Sequence, residues 1–95
     1  MSPARGPWYI AASAVQDYQC LRGWCVTDDG PVFERAEREL IAAAVAAVHR
    51  APRVLESGAL QYRMGRPYRY RLIVQPAPRP EGDLPQLVSV RTAHD

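Results

Sequence analysis

Lysine is absent from this chain of 95 residues: all twelve basic side chains are arginine. Acidic residues are missing from one long stretch, since between Ser57 and Pro80 there are five arginines and no aspartate or glutamate. There is no run of about 18 apolar residues, which excludes a membrane helix of ordinary length. Two cysteines, Cys20 and Cys25, without a paired histidine or cysteine at ligand spacing, cannot build a zinc site, and no metal or cofactor is expected. They are expected to be free, partly buried thiols in a reducing compartment. No glycine-rich phosphate loop is present; Gly65 stands alone in a turn. The start, polar with two prolines and a glycine up to Pro7, does not read as a signal peptide, so a cytoplasmic location is expected.

What remains is a chain of ordinary apolar content, 47% hydrophobic, long enough for a single modest core. The arginine-only basic content has two readings. Arginine's planar fork suits phosphate and carboxylate recognition. A GC-rich genome would also raise arginine together with the fourteen alanines and nine prolines. Such a bias scatters arginine evenly and leaves its clustering unexplained. The net charge of +2 is too small to imply a nucleic-acid partner, so any such signal is local.

Residues 1–7 read as a flexible tail and residues 8–95 as one domain. Trp8-Tyr9-Ile10-Ala11 predicts a first strand. Ser13 with Gln16 forms the spacing of a capping box, and Ala14, Tyr18, Leu21 and Cys25 give the buried stripe of a first helix, with Asp17 and Arg22 outside. Thr27-Asp28-Asp29-Gly30 breaks it. Pro31 opens a second helix whose stripe is Phe33, Ala36, Leu40, Ala44 and Ala47, widened by Ile41, Val45 and Val48. Glu34, Glu37 and Glu39 early, and His49 and Arg50 late, complement the helix dipole, and Pro52 stops it.

From Leu60 to Val74 apolar residues alternate with arginines about a turn. One strand face then holds Leu60, Tyr62, Met64, Tyr68, Tyr70, Leu72 and Val74, the other Arg63, Arg69 and Arg71. A three-residue loop, Gly65-Arg66-Pro67, pairs Arg63 with Arg69. Pro67 suits that loop poorly, so a five-residue loop of the same parity is the alternative. Gln75 to Pro85, with four prolines, is an extended loop and a second place for a partner contact. Leu87 to Arg91 is the last strand. The predicted fold is α+β: strand-helix-helix-strand-strand-strand, two helices packed on one face of an antiparallel sheet.

Arginines facing each other across two strands need a compensating anion. It is either an internal acid, with Glu56 and Glu81 nearest in sequence, or a group on a partner. Arg63, Arg66, Arg69, Arg71 and Arg91 are therefore the candidate binding residues, and the tyrosines of the opposite face are expected in the core. No acid–base pair is legible. His94 is the only candidate for moving a proton, so no hydrolysis of free RNA or DNA is expected.

The element order, the words Ser13-Ala14-Val15-Gln16-Asp17-Tyr18 and Tyr62-Arg63-Met64-Gly65, and the basic strand Tyr68-Arg69-Tyr70-Arg71-Leu72-Ile73-Val74 resemble RelE/ParE-like toxins of bacterial toxin–antitoxin systems. That resemblance implies ribosome-dependent mRNA cleavage or gyrase poisoning, with a cognate antitoxin as partner. It places Arg63, Arg69 and Arg71 at the family's basic sheet residues and His94 near the C-terminal residue of some nuclease members. The competing expectation is a non-enzymatic phage or mobile-element protein that blocks a host complex through the same patch. A third is a homodimer formed at the sheet edge.

Overall fold

The computed structural model describes residues 6–65, 69–78 and 82–92. Along the chain lie β1 (Tyr9–Ile10), α1 (Ala12–Leu21), α2 (Gly30–Ala47), β2 (Arg53–Val54), β3 (Leu60–Arg63), β4 (Tyr70–Gln75) and β5 (Gln86–Thr92). The strands form one five-stranded sheet in the order β1-β5-β4-β3-β2. The predicted α+β class and both helices are present. Two features of the sheet differ from expectation. It is mixed, because β1 takes the outer edge of β5 in the parallel sense, Tyr9 beside Gln86. It also gains β2, a two-residue edge strand too short to leave an alternation in the sequence.

Alternation on β4 sorts the two faces. Leu72 and Val74 are buried and Tyr70 packs against them. Arg71 and Ile73 are half-buried, and Gln75 is exposed on the other side. Both helices meet the first face: the Tyr18 ring of α1 sits edge-on to Tyr70 at 5.9 Å, and Leu40, Ala36, Ala44 and Ala47 of α2 join the same core. Trp8, just ahead of β1, is buried and packs on Tyr62 with ring centroids 4.8 Å apart. In β5 a bulge leaves Val88 unpaired between Ile73–Ser89 and Val74–Leu87. The extra residue lets Leu87 and Val90, three apart, both point into the core, which strict alternation forbids.

The ends of α1 correct two expectations. Its N-cap is Ala11, without a side-chain cap, so the Ser13–Gln16 capping box does not form. Ser13 instead donates its hydroxyl to the Val88 carbonyl, and Asp17 accepts from the Val90 amide and the Ser89 hydroxyl. These two residues, one helical turn apart, satisfy the edge of β5 beyond the short β1 and close it to further strands. At the other end Gly23 adopts φ +72, with Gly23 N–H bonded to Cys20 O and Trp24 N–H to Gln19 O. This Schellman closure ends the helix before Cys25, which lies outside it. Cys20 and Cys25 are both exposed rather than partly buried.

The loop after α1 is tied by Gln19. Its fully buried amide donates to the Thr27 hydroxyl and accepts from the Thr27 amide. In α2 the buried stripe Ala36, Leu40, Ala44, Ala47 is as expected, but Val45 and Val48 are exposed. The first turn of α2 carries no acid, and its last turn no base. Glu39 has another use, described below. Most of the expected tail, residues 1–5, lies outside the described residues. Gly6, at φ +83, lies close over α2: a Cβ there would be 3.4 Å from Cγ2 of both Ile41 and Val45. No helix of the described residues is long and apolar enough to cross a membrane.

Candidate anion-binding face

The hairpin takes the longer loop. Leu60 pairs with Val74, Tyr62 with Leu72 and Arg63 with Arg71, and Met64 N–H bonds to Tyr70 O, leaving five residues, 65–69, between the strands. The parity of the faces is the expected one, but the partner of Arg63 is Arg71, not Arg69. On the other side of Arg71 the register brings Arg91. Three adjacent strands therefore carry Arg63, Arg71 and Arg91 in one row across the outer face, about 4.8 Å from strand to strand. Arg69 is exposed at the end of the hairpin loop. Arg66 and His94, both expected at the site, lie outside the described residues.

Arg71, the central member, is held at both ends of its head group. Its Nε donates to the Thr92 carbonyl at 2.7 Å, and Nη1 reaches Gln61 Oε1 at a long 3.5 Å. Direct opposition of like charges destabilises a strand pair by as much as about 1 kcal/mol. No carboxylate of the described residues is paired with Arg63 or Arg91 to relieve it. Among the described residues the ion pairs are Arg22–Glu39 and Arg35–Glu39, and Arg50, Arg53, Arg63, Arg69 and Arg91 join neither. Glu56, expected as a compensating acid, is exposed and pairs with none of them. Glu81 lies outside the described residues.

Two arginines outside the expected set, Arg50 assigned to the helix dipole and Arg53 given no role, belong to this face. Arg50, three residues past α2, donates Nη1 to the Arg63 carbonyl at 3.3 Å. Arg53 stands on β2 directly opposite Gln61. With Ala51 and Arg63 they border a shallow hollow of about 300 Å³. The available signal was proximity: Arg50 and Arg53 bracket Ala51-Pro52, a few residues before the acid-free stretch. A helix-dipole role for Arg50 concealed it.

Other sites differ in character. At the far end of β4 and β5 an open hollow of about 400 Å³ is bordered by Tyr9, Gln75, Pro76, Pro78, Leu84 and Asp83. It involves the expected proline loop, carries a carboxylate, and is separate from the arginine row. Between the helices, Tyr18 Oη donates to Glu39 Oε1 at 2.5 Å and accepts from Arg22 Nη1 at 2.9 Å. Burial and then the Glu39 contact push the Tyr18 hydroxyl up to about 12. Burial alone would raise the Glu39 carboxyl. The Tyr18 hydrogen bond, with Arg35 and Arg22, outweighs it and holds Glu39 below its ordinary value. Arg22 and Arg35 also lie over the Trp24 ring at 4.6 and 4.4 Å. This cluster joins α1 to α2 and is structural.

No histidine, cysteine or carboxylate group of three or more with metal-binding geometry occurs among the described residues. Compared with protein-family models, curated proteins and solved structures, the chain matches none.

Proposed function

We propose that the outer face of the sheet binds the phosphate backbone of RNA, and that the protein acts by occupying that RNA rather than by hydrolysing it. The observation that carries the reading is the row Arg63–Arg71–Arg91, in register on three strands, with no carboxylate of the described residues paired to Arg63 or Arg91. Such a row is unfavourable alone and becomes favourable when a polyanion lies along it. Near the row no described aromatic ring is presented: Tyr62 and Tyr70 pack on the helix side, with Trp8 and Tyr18, and the exposed Tyr9 lies on β1 beside Gln86, at the far end of β5 from Arg91. Bases are therefore not stacked, and recognition is of backbone and shape, with little sequence preference.

This is the action a RelE/ParE-like protein, or a mobile-element protein directed at a ribosomal or RNA-containing host complex, would need. A cognate antitoxin would then cover the same face with acidic side chains. The test is a gel shift on a structured RNA with the wild type and with Arg69, Arg71 and Arg91 together changed to glutamine. Retarded RNA in the first and free RNA in the second is expected. Equal retardation removes the face from the account. No retardation of any RNA, with capture of an acidic protein lost in the triple variant, transfers the face to a protein partner.

A further inference from the structure

We infer that the hollow bordered by Arg50, Arg53, Gln61 and Arg63 is a site for a phosphate monoester, the terminal phosphate of an RNA strand whose following backbone lies along the arginine row. The inference rests on the RNA-binding reading and deepens it from a general polyanion to a particular strand end.

The hollow differs chemically from the row. Along the row the guanidinium groups are spread over three strands, one to a strand, which suits singly charged diesters in succession. At the hollow, three arginines from three separate segments line one space of about 300 Å³. Arg50 comes from the turn just past α2, Arg53 from β2 and Arg63 from β3. None of the three pairs with a carboxylate among the described residues. A phosphate monoester carries a charge of about −1.5 to −2 at neutral pH and three strong acceptor oxygens. Three forked donors lining one hollow match that number of oxygens, and the monoester offsets most of their charge; a diester, with a single charge and two free oxygens, would leave two of the three charges uncompensated.

Two contacts prepare the site. Arg50 is anchored by one nitrogen to the Arg63 carbonyl, which fixes its head group at the rim and leaves its other N–H groups to a ligand. Gln61 turns its carbonyl toward Arg71, so its NH₂ is the end that remains to donate to an anion. Arg63 belongs to both sets, lining the hollow and standing opposite Arg71. A strand with its end in the hollow therefore continues onto the row without a gap.

The test is fluorescence anisotropy with one short RNA in three forms: 5′-phosphate, 3′-phosphate, and hydroxyl at both ends. One phosphorylated form is expected to bind the wild type about tenfold more tightly than the hydroxyl form, the gain of one charge-assisted contact set. The two phosphorylated arms say which end is read. Arg50→Ala/Arg53→Ala is expected to erase this difference, with a smaller loss of affinity common to all three forms because both arginines belong to the same basic face. Both changes are at exposed positions, so the fold is retained. Equal binding of all three forms, or a preference that survives the double substitution, overturns the proposal. If none of the RNAs binds, the underlying reading fails instead. The hollow is then judged by NMR titration with adenosine monophosphate against adenosine, following the Gln61 side-chain amide. A saturable shift with the monophosphate alone sustains the phosphate site, and its absence overturns it.

Discussion

Arginine occupies two regions of this molecule under opposite conditions. Between the helices, Arg22 and Arg35 converge on Glu39 and lie against the Trp24 ring, and the Arg22 side chain is only 17% exposed. Across the sheet, Arg63, Arg71 and Arg91 line up with one another, and Arg50 and Arg53 gather beside them. The first group satisfies its charges within the fold. The second leaves most of its charge outward, at a cost that the first group shows the chain is able to avoid. Composition bias supplies arginines to both regions alike, so it does not account for Glu39 sitting between Arg22 and Arg35 while no carboxylate of the described residues pairs with Arg50, Arg53, Arg63 or Arg91. On the proposed reading the contrast separates structural arginines from those held for a partner, and substitutions should divide along the same line.

The largest effect belongs to the core on which both regions stand. Leu40 is fully buried in the α2 stripe, and Leu40→Ala is expected to cost about 2–5 kcal/mol by opening a cavity. Chemical denaturation measures this; an unchanged midpoint would remove α2 from the core. Next comes the helix cluster. Glu39→Gln leaves the Tyr18 hydroxyl and two guanidinium groups without their charged acceptor and should cost about 1–2 kcal/mol, reduced by the partial exposure of Glu39.

The same cluster gives a pH signature. Glu39 is held below its ordinary value in the fold, so its contribution is present above the unfolded carboxyl range and lost as pH falls through the lowered folded value. Tyr18 is raised to about 12. Its contribution is complete below the unfolded value of 10.0 and is lost as pH rises from there through about 12. Melting curves of Glu39→Gln should lack the acid-side loss. An unaltered acid limb would assign that loss to other carboxylates.

A smaller effect is expected at the closed edge. Asp17→Ala removes the acceptor of the Val90 amide and the Ser89 hydroxyl and should cost about 1 kcal/mol, read as a lowered denaturation midpoint. The smallest effect on stability belongs to the arginine row itself. Arg71→Gln/Arg91→Gln relieves opposed charges and gives up the Thr92 contact, for a net change of about 0.5 kcal/mol or less in either direction.

Much of this was legible from periodicity. The α2 stripe from Ala36 to Ala47 and the separation of tyrosines from arginines follow directly from spacings of 3.6 and 2 residues. The hairpin register was legible only as a pair of alternatives, because both loop lengths preserve the same faces. The choice that places Arg71 beside Arg63 is made by the fold. The roles of Ser13 and Asp17 were hidden because they depend on β5, more than seventy residues away, and local rules assigned them to a cap and to solvent. Leu87 reaches the core only through a bulge, which carries no reliable sequence mark. Arg53 was missed for a similar reason, since β2 is two residues long and its pairing brings it to the site, while Arg50 reaches the site through its contact with the Arg63 carbonyl, thirteen residues away.

The central claim is that the row is left for a polyanion while the cluster is spent on the fold. It is tested most directly by the salt dependence of binding to a structured RNA, for the wild type and for Arg71→Gln/Arg91→Gln, with thermal melts of both. Wild-type affinity should fall with a log–log slope of about −2, at roughly −0.7 for each of three phosphates engaged, and the variant should lose most of that slope while its melt is almost unchanged. Identical slopes in the two proteins, or a variant that no longer folds, would contradict it.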